Sequence, residues 1–256
     1  MAAIATLLES RGALLALRRT LPKSGPGVVA CRTPAALRRL LERRLVDAVV
    51  LCPTLAALRE LEDLRGELPG IPVVAYAPFR PDDGDLLLAC RRHGVASVAV
   101  EGVDDPFVGD MVMRASITAE RRRALADAPR MLRLTEPLQQ AAWAVLVGEV
   151  ERPFRTGTLA RQLKVSREHL SRQFGAGGAP NLKRVIDLTR IACAAQLLAN
   201  PGLGIPIVVR VLHFASSSHL SSTARRIANV STRGLGALGP RGVLQAFAKG
   251  NTRSRL

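Results

Sequence analysis

The chain has 256 residues, is 48% hydrophobic but only 3% aromatic, and carries a net charge of +16. That apolar content excludes a disordered chain and suffices for one large domain or two modest ones, with cores built from Leu, Val and Ala. The charge is lopsided: residues 1–115 have a net of +1 and residues 116–256 a net of +15, as expected for a polyanion-binding half joined to a neutral control half.

In chain order, a strand is expected near Ala2–Leu7 and a helix near Ser10–Leu21. The runs "GVVAC" (27–31), "VDAVVLC" (46–52), "IPVVAYA" (71–77) and "VASVAV" (95–100) are short, β-branched and bounded by Pro, Gly or charge. They suit strands buried on both faces of a parallel sheet. Between them, "TPAALRRLLERR" (33–44), "TLAALRELEDLRGEL" (54–68) and "DDGDLLLACRRHG" (82–94) have helical spacing and open on capping or Pro signals. Alternation of this kind predicts an α/β domain with a doubly wound parallel sheet over residues 1–115.

In the order and spacing of these elements, residues 2–115 resemble the response-regulator receiver (CheY-like) fold. The resemblance implies a phosphoacceptor Asp at the end of the third strand, where this chain has Cys52, and a Ser/Thr at the end of the fourth, where it has Ala77. The Lys that would follow the fifth strand is Glu101, and only Glu9 stands where an acidic pair is due. Aspartyl phosphorylation needs clustered carboxylates for Mg²⁺, a carboxylate nucleophile and a cation for the phosphoryl group. Cys52, Ala77 and Glu101 therefore make a degenerate phosphorylation site, and the domain is expected to dimerise, bind a ligand or answer to a partner. Cys52 reads either as a redox sensor or as an inert strand-end thiol.

Residues 116–136 are expected to be a linker helix, with Arg121–Arg123 either touching DNA or coating an exposed surface. An all-helical second domain follows over 137–238, with Trp143 as a core anchor. In "LARQLKVSREHLSRQF" (159–174), Leu159, Ala160, Leu163, Val165, Leu170 and Phe174 form one apolar set, and Ser166 is a good N-cap for a helix starting at Arg167. The outward face left to that helix is Arg167, Glu168, Ser171 and Arg172, which suits base edges and phosphates. "GAGGAP" (175–180) lacks the Lys-Ser/Thr of a phosphate loop and reads as a loop between helices. "NLKRVIDLTRIACAAQLLAN" (181–200) reads as one long helix. The helix–turn–helix pattern recurs in "IPIVVRVLHFASSSHLSSTARRI" (205–227), with Ser216 or Ser217 as the second cap. Residues 239–256 read as a basic tail with one short helix through Val243–Phe247.

Residues 137–238 resemble the AraC/XylS-type DNA-binding domain, carried by "LARQLKVSREHLSRQF", "RIACAAQLL" (190–198) and "HFASSSHLSSTARRIANVST" (213–232). The resemblance implies a bacterial transcription regulator with two helix-turn-helix units joined by a long helix, each placing a recognition helix in the major groove. Its base-facing positions fall on Glu168, Ser171 and Arg172, flanked by Arg167, and on Ser217, Ser218 and Ser222. Arg167, Arg225 and Arg226 are placed as phosphate clamps. Three serines read bases permissively, so the first unit should carry most discrimination. Glycines common in the family's turns are replaced by Lys164 and His213, its usual aromatics in the second unit by Leu220 and Ala224, and a glycine after the last recognition helix by Asn229.

An enzyme is not expected, since no triad, metal cluster or paired carboxylates stand in a working pattern. No cofactor and no metal are implied; Cys31, Cys52, Cys90 and Cys193 are scattered singly. "MAAIATLLESRGALLALRR" (1–19) lacks the basic start of a signal peptide, and no stretch approaches a membrane span, so a cytoplasmic, nucleoid-associated location is expected. The expected partners are double-stranded DNA, RNA polymerase, and a second copy of the chain through the N-terminal domain, with no membrane. The competing reading is a non-specific architectural or adaptor DNA-binding protein.

Overall fold

The computed structural model describes residues 3–23, 25–54, 57–59, 70–150, 154–200 and 203–253. The chain divides into two compact units, 1–120 and 121–256.

In the first unit, strands β1 (Ala3–Leu7), β2 (Gly27–Ala30), β3 (Val46–Leu51), β4 (Val73–Ala77) and β5 (Ser97–Val100) form one parallel sheet in the order β2-β1-β3-β4-β5. This is the doubly wound order of receiver-like folds. The helices are α1 (Arg11–Thr20), α2 (Pro34–Arg43), α3 (Gly84–Arg92) and α4 (Val108–Ala124). Ser10 caps α1 by accepting from the Ala13 amide at 3.1 Å, and Thr33 caps α2 just before Pro34. Strand residues divide between two cores, alternating along β3 from Ala48 to Leu51. Ala5, Val49, Leu51, Val73 and Ala75 pack with Leu37 and Leu41 of α2 and Ala89 and Cys90 of α3. Ile4, Ala48, Val50, Val74, Tyr76 and Ala99 pack with Ala13 and Leu17 of α1 and Val108 and Val112 of α4. Most of the helix expected over 54–68 lies outside the described residues, although 57–59 are helical and Leu58 is buried.

The second unit is helical, with one short strand among the described residues. Its elements are α5 (Ala128–Met131), α6 (Pro137–Gly148), α7 (Thr156–Gln162), α8 (Arg167–Gln173), β6 (Phe174–Gly177), α9 (Leu182–Leu198), α10 (Ile205–Val211), α11 (Ser217–Ala228) and α12 (Thr232–Arg253). Helix α9 is buried on nearly every side, including Leu188, Ile191, Ala192 and Cys193, so the other helices pack around it. Trp143 of α6 is buried in the same core.

This unit extends further at both ends than the sequence suggests. Leu125, Ala128, Leu132 and Leu134, from the stretch expected as a linker, belong to its core. Arg121 does not coat an exposed surface: it is 1% exposed, donating through Nε to Gln196 Oε1 and through Nη1 to the Val147 carbonyl, both at 3.1 Å. Arg122 and Arg123 are exposed. At the other end, α12 breaks at Gly239 (φ 66°, ψ 173°) before Pro240 and continues, burying Val243, Leu244 and Phe247. The expected tail is thus, through residue 253, a docked helix, because its apolar positions recur at helical spacing and find α9 and its neighbours. The "GAGGAP" stretch also differs from a plain loop, since its first three residues continue β6.

Candidate nucleic-acid interface

All of the net +16 resides in the helical unit: residues 121–256 hold 22 Lys+Arg and 6 Asp+Glu, whereas residues 1–120 are balanced. Among the described residues no helix is long and apolar enough to cross a membrane, and no His/Cys/Asp/Glu group could hold a metal ion.

Two short helix pairs, α7–α8 and α10–α11, repeat one local design. Each first helix ends on a left-handed residue, Lys164 (φ 57°) or His213 (φ 53°). The amide after it turns back to the same place: Val165 N donates to Ala160 O at 3.0 Å, and Phe214 N to Val209 O at 2.9 Å. Glycine takes this conformation most cheaply, so both turns are made at some strain cost by residues with a Cβ. Each second helix is then capped by a serine: Ser166 Oγ accepts from His169 N at 3.1 Å, and Ser216 Oγ from His219 N at 3.0 Å. The second turn is one residue longer, which makes Ser216, not Ser217, the cap. Asn229 (φ 56°) closes α11 in the left-handed region that Asn tolerates.

The residues assigned to the outward faces lie at the surface. Arg167, Glu168, Ser171 and Arg172 of α8 are exposed, while Leu170 and Phe174 are buried. Ser217, Ser218, Ser222, Arg225 and Arg226 of α11 are exposed, while Leu220, Thr223, Ala224 and Ile227 are buried. The faces differ in chemistry. Ser222 Oγ donates to His219 O on its own helix at 3.1 Å, so part of its capacity is spent locally. His219 is structural as well, its Nδ1 accepting from Ala215 N and its ring meeting Phe214 edge-on at 5.6 Å.

Arg226 has a partner that its own stretch of sequence does not suggest. Its Nη2 lies 2.8 Å from Asp187 Oδ2 of α9, while its side chain stays half exposed. The pairing arises because α11 lies against α9 here, which the sequence of α11 alone does not reveal.

Several residues near these faces were missed from sequence. Arg155 and Arg161 line an open depression of about 650 Å³ with the expected Arg167 and with Thr156, Gly157 and Thr158. The spacing of basic and hydroxyl residues around the start of α7 was its available signal. Arg190 of α9 donates from Nη2 to the Leu212 and His213 carbonyls, both at 2.8 Å, and its guanidinium sits 4.0 Å from the centre of the Phe214 ring. Burial lowers the Arg190 pKa, and Asp187 opposes that shift. Gln139, buried in α6, accepts from Glu136 N at 3.1 Å and donates to Gln173 O at 2.7 Å, holding the end of α8.

In the first unit, Cys52, Ala77 and Glu101 do meet at the C-terminal sheet edge. Cys52 N donates to Leu7 O and Glu101 N to Ala77 O, both at 2.9 Å. The Glu101 carboxylate accepts from Ser10 Oγ at 2.5 Å, occupying the site with a bond that holds the cap of α1. Burial first, then the Glu9 and Glu101 charges, pushes the Cys52 thiol pKa up. A raised pKa means less thiolate at any given pH, which favours the inert reading over the redox one. At about pH 8, alkylation of Cys52 should be slower than that of an unstructured cysteine peptide, and Glu101→Gln should accelerate it. Equal rates for protein and peptide would reinstate the redox reading.

No protein-family model matches the sequence, and no curated protein matches it. Among solved structures, full-length FixJ from B. japonicum aligns at 15% identity and a TM-score of 0.38, covering 90% of this chain and 98% of that one.

Proposed function

We propose that this chain is a sequence-specific DNA-binding transcription regulator of AraC/XylS type. In this reading α7–α8 and α10–α11 are helix-turn-helix units, and α8 and α11 enter successive major-groove segments about 34 Å apart on one face of the duplex. The observation that carries it is the repeated pair: two capped helices with polar outward faces, each behind a left-handed turn, on a unit holding the whole net charge. Arg172 pairs with guanine O6/N7 and Glu168 accepts from cytosine N4, while the Arg155–Arg161–Arg167 depression receives backbone phosphates. The receiver-like domain is not phosphorylated and serves regulation or dimerisation. RNA polymerase and a second copy of the chain are the protein partners, the location is the cytoplasmic nucleoid, and the chain has no catalytic role.

The serine face of α11 also favours a second reading, a non-specific architectural DNA-binding protein. Selection of genomic fragments by the purified chain at physiological salt, followed by sequencing, separates the two. An enriched motif of two short blocks about one helical turn apart supports the regulator. Clear binding without a motif supports the architectural protein. Arg172→Ala should cost about 1–3 kcal/mol on a selected site and almost nothing on random duplex. An equal loss on both would remove Arg172 from base reading.

A further inference from the structure

Arg225 and Arg226 are neighbours in the last turn of α11, and sequence alone treats them as one basic pair. The fold separates them. Arg226 reaches back to α9, where the Asp187 carboxylate is only 9% exposed. Asp187 is one of six acids in a unit with 22 basic residues, and it is buried beside Leu188 and Ile191 on a helix enclosed on nearly every side. A carboxylate there cannot serve solubility. It also cannot lose its partner cheaply, because a buried ionised group without a counter-charge is strongly disfavoured. Pulling Arg226 away to a phosphate would take its 2.8 Å partner and leave it only the Arg190 charge one turn along the helix.

One helical turn along, Arg190 bonds the carbonyls at the end of α10. Helix α9 thus grips the second helix pair at both its turn and its recognition helix through charged groups. The end of α8 is held differently, by a neutral bond from Gln139.

We infer that Asp187 is a positioning residue: it takes Arg226 out of the DNA-contacting set and ties α11 to the central helix, leaving Arg225 as the phosphate-contacting arginine there. This rests on the DNA-binding reading. The pairing has a consequence for the second unit: it docks as a fixed anchor with one cation fewer than its sequence displays.

The test is the salt dependence of binding of the full chain to a labelled random-sequence duplex. Each phosphate contact adds about 0.9 to the slope of log K against log salt, or roughly a 3-fold change in affinity over a 4-fold change in salt. Arg225→Gln should make the slope shallower by about that amount, and Arg226→Gln should leave it unchanged. Asp187→Asn should release Arg226 and steepen the slope by about 0.9, and adding Arg226→Gln to it should restore the original value. A slope shallower by about one contact in Arg226→Gln alone would overturn the inference. The Asp187→Asn/Arg226→Gln double variant leaves no buried charge unpaired, so its comparison with Arg225→Gln decides even where a single variant fails to fold: an unchanged slope supports the inference and a slope shallower by about one contact overturns it. Absence of salt-dependent binding in the unsubstituted chain would be a different failure, that of the DNA reading itself.

Discussion

Raising the salt from about 50 to about 200 mM should weaken binding of this protein to duplex DNA by roughly 10³-fold. The first helix pair exposes Arg155, Arg161, Lys164, Arg167 and Arg172, and the second exposes Arg210 and Arg225. About six phosphate contacts drawn from these side chains give a log–log slope near −5, which accounts for the loss. The effect is large because the attraction comes mostly from counterion release, which salt opposes directly and sequence does not alter. Fluorescence anisotropy of a labelled duplex measures it. Arg155→Ala and Arg161→Ala should each reduce the slope by about one on random and selected sequences alike, since a phosphate carries no base identity. A slope shallower than about −2 would mean that the depression and the α8 surface do not meet the backbone.

The second large effect concerns the contact between α9 and α12. A Cβ built on Gly236 would lie 2.5 Å from the Leu198 carbonyl oxygen, 2.9 Å from its carbon and 3.2 Å from Ala199 N. These obstacles are backbone and cannot rotate aside, so any side chain must push the helices apart. The neighbouring Leu235, Val243 and Phe247 are all within about 1% of complete burial and would lose their packing together. Gly236→Leu should therefore cost about 3 kcal/mol, the upper end for overpacking, and lower the melting temperature of the helical unit by roughly 10 °C. Gly157→Ala is the natural control, because nothing lies within 4 Å of its added Cβ. It should be neutral or slightly stabilising, since Ala is the better helix former. Thermal melts followed by helical circular dichroism report both. A loss below about 1 kcal/mol for Gly236→Leu would show that α9 and α12 separate easily.

The first unit was almost wholly legible. Its strands announce themselves as short β-branched runs, and Ser10, Thr33 and Pro34 mark helix starts that the fold uses. Boundaries moved by a residue or two, as with β4, which begins at Val73 after Pro72 has supplied only its carbonyl to Val49 N. In the helical unit the two helix pairs, the cap at Ser166 and the long α9 were also legible, because caps, turns and apolar spacing are short-range signals. Lys164 and His213 stand where the resemblance implied turn positions, and both are left-handed.

Polar residues whose role depends on a distant partner were not legible. Arg121 reads in sequence as one of three surface arginines, yet it is buried by contacts to Val147 and Gln196, which lie 26 and 75 residues away. Arg226 reads as one of two equivalent surface arginines, yet it is paired with Asp187, 39 residues earlier. Gly236 carries no sequence signal of the helix crossing it permits.

By itself, then, the amino-acid order determined the α/β-plus-helical architecture, the concentration of charge in one unit, the presence of Cys52, Ala77 and Glu101 at the strand ends, and the polar faces of α8 and α11. All of these follow from local periodicity, local capping and residue identity. Only the tertiary structure decided where the helical unit begins and ends, which arginines are spent on holding it together, and which remain at its surface. A guanidinium has the same chemistry in every context, and its task is set by whichever carbonyl, carboxylate or ring the fold brings within about 3–4 Å of it.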